Sequence, residues 1–334
     1  MSDSPDAPWL SVVFITTYDY ASLRRVVSHM RRQSISDRME VVIVGVSRDR
    51  LKVDEHELTG FAGYQIIEFG KIVRTSEARA AGIRAARAPV FALAEDHCFP
   101  GPGWAAALVE RHRENWSAVG PVFHNANPNS AMSWTNFLLE YGEWGAPIDG
   151  GEPRHLPGHN SSYKRDAVLA FGDELSDRLD SESSMQWEMV RRGHRLYLEP
   201  RAQAHHLNPS RLDFSLGLRF KAGRLFAGGR RRDWGWGRRI AFAAAWPLIG
   251  LVRLKRTLGI YRRIGGEGPS LARMAPLLVV CVTIDALGEF VGYLLGPGNV
   301  AANLADAEFL RERYLNGSDR QRVETFSERL LPAI

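Results

Sequence analysis

Apolar runs of strand length alternate with helical patterns over the first hundred residues. Four runs are apolar at nearly every position: residues 10–16, 40–46, 64–69 and 90–94. Between the first two, Leu23, Val26 and Met30 recur at the spacing of one helix face, and the alanine-rich residues 75–87 predict a second helix. Strands that are apolar on both faces and separated by helices are typical of a parallel sheet. We therefore predict an α/β fold, Rossmann-like, with a mostly parallel sheet and helices on both faces.

Two carboxylates and a histidine follow the fourth predicted strand directly. Glu95, Asp96 and His97 come before a turn rich in proline and glycine. An isolated triplet of this kind is more often a solvated turn, but ligands of open parallel sheets gather at the carboxyl ends of the strands. Carboxylates suit Mg²⁺ or Mn²⁺ and leave positions for phosphate oxygens, and Mn²⁺ tolerates imidazole better. The position therefore favours a divalent metal site.

A helix and a strand are predicted in the region that follows residue 178. Met185 and Met189 mark a helical run that stops before Gly193, and glycine is favoured just past the end of a helix. Residues 195–199 predict a strand, and two histidines, His205 and His206, come after it. Neutral imidazole is a common ligand of transition metals, so this pair is a second candidate for metal binding.

The basic residues are concentrated in one segment. Residues 211–263 contain 14 Lys or Arg and 2 Asp or Glu, whereas residues 1–210 contain 23 and 27. The arginines of this segment alternate with Phe, Leu and Trp, which favours an anionic membrane surface as the partner. We predict no nucleic-acid partner.

Two apolar stretches follow, and they differ in length. Residues 240–252 are too few to cross a bilayer core of about 30 Å, whereas residues 274–296 are long enough. Asp285 and Glu289 share a face of the second stretch with glycines at 288, 292 and 296, so this face is expected to meet protein. The stretch either spans the membrane or lies in its interface, and a soluble helical subdomain is the alternative.

Cysteine content and the N-terminus bear on the compartment. Cys98 and Cys281 lie far apart in the sequence, which predicts neither a disulfide framework nor a thiolate metal site. Residues 1–8 lack a basic stretch followed by an apolar one, so no secretory signal is visible. We expect a reducing compartment, at the cytoplasmic face of the cell membrane.

Four motifs, in this order and spacing, resemble family 2 glycosyltransferases with the GT-A fold. They lie at residues 12–19, 74–83, 95–97 and 156–166, and the resemblance covers roughly residues 10–210. It implies a GT-A catalytic domain at residues 1–210, followed by a basic, helical, membrane-associated region at residues 211–334.

The resemblance also implies roles for individual residues. Those on the donor side are Thr17, Tyr18, Asp19, Arg74, Arg79 and Asp96, those on the acceptor side are His159 and Asn160, and the metal ligands are Glu95, Asp96, His97 and His206. Spacing within the family motif favours His206 over His205.

The catalytic base implied by the resemblance is Glu182, at the start of the predicted helix. Counting back from Gly193 puts Glu182 at the position of the family's catalytic aspartate, with Asp180 as the alternative and Glu188 as a further rival. A glutamate in the first turn can also simply complement the helix dipole.

The chain departs from the family pattern at two places. Residues 44–47 lack the aspartate that usually contacts the base of the donor, so Asp19 or Asp49 would have to serve. His97 stands where the metal motif usually ends in a carboxylate.

The resemblance implies a metal-dependent inverting glycosyltransferase. It would move a sugar from a nucleotide-sugar donor. The acceptor, a lipid-linked sugar or a growing surface polysaccharide, is inferred only from the membrane-associated tail. The alternative is a catalytically impaired membrane scaffold that keeps the fold. A nucleotidyltransferase is disfavoured because the sequence has no glycine-rich phosphate loop of the GxxxxGK type.

Overall fold

The computed structural model describes residues 7–265, 268–300, 309–321 and 323. They form two compact units. The described part of the first unit contains residues 7–124 and 148–205, and that of the second contains residues 125–147 and those from 206 to 323. The sequence pattern predicted a boundary at residue 210 and gave no sign that residues 125–147 belong with the C-terminal helices.

The first unit is built on an eight-stranded mixed sheet. Its strands are β1 (Leu10–Ile15), β2 (Met39–Gly45), β3 (Gly63–Glu68), β4 (Val90–Ala94), β5 (Cys98–Pro100), β6 (Ala118–Asn125), β7 (Ser162–Lys164) and β8 (Leu196–His206). Their order is β3-β2-β1-β4-β7-β6-β8-β5. The neighbours from β3 to β4 are parallel, whereas β7 runs antiparallel to β4 and β6. The α/β fold of GT-A type is confirmed.

The parallel half of the sheet is the part that the hydrophobic pattern predicted. Every residue of β1, β2 and β4 is buried, as expected for strands covered on both faces. The antiparallel strand β7 has three residues, two of them polar, and is too short to show a hydrophobic period.

Helices are numbered along the whole chain, and seven of those described belong to the first unit. They are α1 (Ala21–Arg31), α2 (Arg48–Leu51), α3 (Thr75–Ala85), α4 (Trp104–His112), α6 (Arg165–Leu169), α7 (Leu175–Arg178) and α8 (Glu182–Arg191). The predicted face of α1 is buried. Gly82 brings α3 close to β1 and β2, because a methyl group there would collide with Val13.

The described helices of the second unit are α5 (Ala131–Glu140), α9 (Leu212–Arg230), α10 (Trp236–Ala244), α11 (Trp246–Ile264) and α12 (Leu271–Leu295). The apolar stretch at 240–252 is divided between α10 and α11 at Ala245, where the helical path is interrupted. Gly288 and Gly292 of α12 lie against the backbone of Phe220 and Arg224 in α9. The predicted small-residue face therefore meets protein.

The two acids of α12 are paired with an arginine of α11. Arg253 lies 2.5 Å from the carboxylate of Asp285 and 2.6 Å from that of Glu289. The Tyr293 hydroxyl also donates to Glu289, at 3.2 Å. Within the described residues, α12 is the one helix long and apolar enough to cross a membrane, a property that core helices of soluble proteins share.

Candidate functional site

The predicted metal motif forms the link between β4 and β5. Glu95 and His97 are buried, at 7% and 3% exposure, and follow β4 where the parallel strands end. His97 Nδ1 lies 2.6 Å from Asp96 Oδ1, and His97 Nε2 lies 3.5 Å from Glu95 Oε1. The structure therefore brings both carboxylates and the imidazole together.

The two predicted acceptor-side residues contact the first carboxylate of this motif. His159 Nδ1 lies 2.7 Å from Glu95 Oε1, and the Asn160 side-chain amide donates to Glu95 Oε2 at 3.0 Å. The backbone N–H of Asn160 donates to the carbonyl of Leu93 in β4, which fixes this loop to the end of the strand. Asn160 has φ +60°, a left-handed conformation that asparagine adopts more readily than most residues. Both oxygens of Glu95 are thus held in place.

Glu182, the predicted base, is the first residue of α8 and joins the same group. Arg79 of α3 donates from Nη1 to Glu182 Oε1 at 2.7 Å, and its Nη2 lies 2.5 Å from His159 Nε2. His159 Nε2 also lies 3.3 Å from Glu182 Oε1. Burial by itself lowers the pKa of His159, but the charges of Glu95 and Glu182 raise it to about 10. A continuous set of polar contacts therefore links Glu182 to Glu95.

Glu182 is ionised in this arrangement. Burial by itself raises the pKa of the carboxyl group, but the Arg79 guanidinium and His159 together outweigh burial and hold the pKa at about 2. The neighbouring loop approaches closely at Gly158, where an added Cβ would lie 2.9 Å from Glu182 Oε2. Neither this glycine nor the bridging role of His159 was assigned from the sequence, although both belong to the 156–166 motif.

Asp180, the alternative base, belongs to a different and more exposed cluster. Its carboxylate lies 2.5 Å from Arg74 Nη2 and accepts from the Ser76 hydroxyl at 2.6 Å. Arg74 also lies 2.9 Å from Asp177, and hydrogen bonds to Asp177 and Asp180 raise the pKa of Arg74. Glu182 is therefore the candidate base whose contacts lead to the metal motif.

The third candidate, Glu188, is engaged within its own helix. Its carboxylate lies 2.6 Å from Arg191 and 2.8 Å from Arg192, and hydrogen bonds to Arg192 and Arg191 lower its pKa. These are local pairs at i, i+3 and i, i+4, which stabilise a helix surface.

The predicted donor loop follows β1. Tyr18 donates its backbone N–H to Thr16 Oγ1 at 3.0 Å, Ser22 donates to the carbonyl of Asp19, and Arg50 donates to the carbonyl of Thr17 at 3.1 Å. Because β1 and β4 are parallel neighbours, this loop lies at the same sheet edge as Glu95. The contact of Arg50 was not predicted.

The position after β2, where the family's aspartate is missing, has a structural role in this chain. Ser47 caps α2 by accepting from the backbone N–H of Arg50 at 3.2 Å. Asp49, one of the two suggested substitutes, lies within α2. Contact of Asp19 or Asp49 with the nucleotide base stays a prediction.

The two tandem histidines lie within β8, which is longer than the five-residue strand that the sequence predicted. Their side chains point to opposite faces of the sheet. The ring of His205 stacks on His124 at 4.8 Å, and burial, with further contributions from His124 and His29, lowers its pKa to about 3. His206 ends the strand and belongs to the second unit, where its ring lies 4.0 Å from that of Tyr141. Metal ligation by His206 stays a prediction.

The residues of the metal motif fit a divalent cation by their chemistry. Glu95, Asp96 and His97 offer two carboxylates and an imidazole that are all largely buried. Glu95 is oriented by His159 and Asn160, as ligating carboxylates are oriented by hydrogen bonds from neighbouring groups. This donor set suits Mn²⁺ or Mg²⁺.

The fold and the site together define the class of this protein as an α/β domain of GT-A type with an acidic metal motif at the end of its fourth strand. Residues 11–171 match the family model of Glycosyl transferase family 2. Over these residues, the chain is similar to glycosyl transferase family 2.

Two curated relatives are similar over part of the chain. They are the polypeptide N-acetylgalactosaminyltransferase 18 proteins of Homo sapiens and Mus musculus, each 32% identical over 148 residues. The matches cover 41% of this chain and 23% of either relative, so the chain spans about a quarter of the length of these relatives.

Two solved structures are similar at low sequence identity. GalNAc-T7 with UDP, GalNAc and Mn²⁺ is 14% identical with a TM-score of 0.46, over 61% of this chain and 44% of that one. TarS 1–349 of S. aureus is 12% identical with a TM-score of 0.44, over 85% and 90%. Both scores are below 0.5.

Proposed function

We propose that this chain is a metal-dependent inverting glycosyltransferase. It moves a sugar from a nucleotide-sugar donor to a lipid-linked or glycan acceptor at the cytoplasmic face of the cell membrane. The match of residues 11–171 to the family model supports the reaction class. The observation that supports the site most is the connection of Glu182 to the metal-motif residue Glu95 through Arg79 and His159.

Glu182 is the general base of this proposal. An acceptor hydroxyl attacks the sugar carbon, the bond from that carbon to the diphosphate oxygen breaks, and its electron pair leaves with the diphosphate. The hydroxyl proton passes to Glu182. Since the hydroxyl becomes strongly acidic as the new bond forms, an ionised carboxylate of low pKa can take the proton late in the reaction.

The donor is held by the loop after β1 and by the two arginines at the start of α3. Thr17, Tyr18 and Asp19 contact the nucleotide, and Arg74 and Arg79 bring positive charge toward the diphosphate. Arg79 has a second role, since it keeps Glu182 ionised before the acceptor arrives.

The metal site consists of Glu95, Asp96 and His97, with His206 as a further ligand suggested by its position in the family motif. A bound Mn²⁺ or Mg²⁺ supplies positive charge that stabilises the leaving diphosphate. His159 and Asn160 orient Glu95 and border the acceptor side.

The metal-dependent activity is tested by a screen of nucleotide sugars for hydrolysis and transfer, with Mn²⁺ or with EDTA. UDP-N-acetylgalactosamine is included because the curated relatives are named as N-acetylgalactosaminyltransferases. Asp96→Ala, and more weakly His97→Ala, should abolish Mn²⁺-dependent nucleotide binding in calorimetry. Asp37→Ala is the control, because the side chain of Asp37 is 74% exposed. Equal affinity of wild type and Asp96→Ala contradicts the metal site.

The same screen separates the enzyme from a catalytically impaired scaffold of the same fold. A scaffold would bind a nucleotide sugar without turning it over with any acceptor. The scaffold hypothesis is based on the serine that follows β2, where the family usually has an aspartate. Turnover that requires Mn²⁺ excludes the scaffold.

The membrane part of the proposal is supported by one face of α11. Leu248, Leu251 and Val252 are 62%, 64% and 60% exposed, at the spacing of one helix face. Lys255 and Arg262 continue that exposed face toward the C-terminal end of the helix. An apolar patch followed by cations fits the interface of a bilayer that contains anionic lipid.

Sedimentation with vesicles tests this face. The full-length protein should pellet with phosphatidylserine-containing vesicles and be released by high salt, and less should pellet with phosphatidylcholine alone. Changing Leu248, Leu251 and Val252 to serine should abolish pelleting. Val73→Ser is the matched control, since Val73 of the first unit is 62% exposed. Pelleting that survives the triple change rules out this face.

A further inference from the structure

His206 is hydrogen-bonded by a buried asparagine of the same unit. Its Nδ1 lies 2.9 Å from Oδ1 of Asn208, and both residues have 0% exposure. In a neutral histidine, one ring nitrogen carries the proton and donates, and the other has a lone pair and accepts. A hydrogen-bond acceptor beside one nitrogen therefore places the lone pair on the other. The orientation of the Asn208 amide therefore matters.

The orientation of the Asn208 amide is fixed by two neighbouring groups that act only as hydrogen-bond acceptors. The Asn208 Nδ2 lies 3.0 Å from the backbone carbonyl of His206, which can only accept. Nδ2 also lies 3.0 Å from Asn125 Oδ1, and that atom is identified as the oxygen because the backbone N–H of Asn127 donates to it at 3.1 Å. If the Asn208 amide were rotated by 180°, its oxygen would face two acceptors, the His206 carbonyl and Asn125 Oδ1.

The backbone of Asn208 is held as firmly as its side chain. Its N–H donates to Asn127 Oδ1 at 2.9 Å, and its carbonyl accepts from Asn127 Nδ2 at 2.8 Å. Ser133 adds a further donor to Asn125 Oδ1 at 3.0 Å. All of these residues are at least 93% buried, so reorientation of one amide would leave buried polar groups without partners.

It follows that His206 carries a proton at Nδ1. We propose that Asn208 is a positioning residue that holds neutral His206 in the Nδ1–H form, so that Nε2 presents a lone pair to a divalent cation. The cation part rests on the proposed function. In the opposite tautomer, the Nδ1 lone pair would face the Asn208 oxygen and Nε2 could not bind a metal ion.

The tautomer is measured directly by NMR on protein with ¹⁵N-labelled histidine, in EDTA. The signals of His206 are assigned by their loss in His206→Gln. The Nδ1–H pattern is expected in the wild type. An Nε2–H pattern in the wild type overturns the proposal, even if no variant of Asn208 folds.

Two variants then test the role of Asn208. Asn208→Leu removes the acceptor and should let His206 exchange between tautomers. Asn136→Leu is the control, because Asn136 is also fully buried in this unit but donates to Pro209 and Ser215.

Affinity for Mn²⁺ alone, measured by the EPR signal of the free ion, gives the second readout. Asn208→Leu should weaken binding at least about tenfold, as changes beside metal ligands commonly do, whereas Asn136→Leu should stay within about threefold of the wild type. A merely structural role would weaken Mn²⁺ binding in Asn136→Leu as much as in Asn208→Leu, and this result overturns the proposal, as does an unchanged Asn208→Leu. If the proposed function itself is wrong, the wild type binds no Mn²⁺, although its His206 still shows the Nδ1–H pattern.

Discussion

Each unit of this protein contains a group of two acids and one arginine, but the two groups are assembled differently. In the first unit, Arg79 of α3 binds Glu182, which is linked through His159 to Glu95. In the second, Arg253 binds Asp285 and Glu289 between α11 and α12.

The difference shows which buried charges indicate a site. Asp285 and Glu289 are one turn apart on a single helix, and a single guanidinium compensates both, which is what a structural ion pair requires. The residues of the first group come from a strand end, a loop and two helices, and they gather where ligands of such sheets bind. Convergence of distant segments, rather than burial of acids, marks the functional group.

The largest effect is expected from removing the base. Glu182→Gln keeps the shape of the side chain but cannot take a proton, so the transfer rate should fall by about 10²–10⁴-fold. The metal-dependent dissociation constant of the nucleotide should change by less than about threefold, as measured by calorimetry. A variant that transfers sugar at nearly the wild-type rate would remove Glu182 from the mechanism.

The arginine of the helical unit should matter mainly for stability. Arg253→Met leaves two buried carboxylates uncompensated and should cost about 3–5 kcal/mol in the free energy of unfolding, as measured in urea. Arg253→Met combined with Asp285→Asn and Glu289→Gln should recover most of this loss. Arg79→Met is the comparison: it should reduce transfer more than it reduces stability. Equal losses of stability in Arg253→Met and Arg79→Met would show that the two groups do not differ as a structural ion pair and a site should.

A smaller effect is expected where α12 meets α9. Gly288→Ala pushes a methyl group against the backbone of Phe220 and should cost about 1–3 kcal/mol, as overpacking does. Gly217→Ala in α9 is the control, because no atom lies within 4 Å of the added methyl group. It should stabilise the helix by up to about 1 kcal/mol. Equal thermal shifts in both variants would argue against close packing at Gly288.

The smallest effect is expected at Asp180. Asp180→Asn weakens an exposed ion pair with Arg74, which is worth about 1 kcal/mol or less, and transfer should stay within about threefold of the wild type. This variant is the matched control for Glu182→Gln. If Asp180→Asn is the inactive variant, the register counted back from Gly193 is wrong.

Local pattern in the sequence determined the elements and part of the site. The apolar runs predicted β1, β2 and β4 to within a residue or so, because strands buried on both faces leave a continuous signal. Gly193 has φ +87° and marks the end of α8, so counting back from it placed Glu182 at the first helical residue. Spacing along one helix was enough to place Asp285 and Glu289 on the glycine face of α12.

Only the tertiary structure decided which distant residues meet. In the structure, residues 125–147 belong to the helical unit, and Arg253 binds the acids of α12. His159 lies between Arg79 and Glu95. The structure also showed that Asn208 fixes the ring of His206. Hydrophobic periodicity reports which side of an element is buried, but it contains no information on the partner across the interface. The pairing of polar groups depends on how those elements pack, and that was settled by the fold.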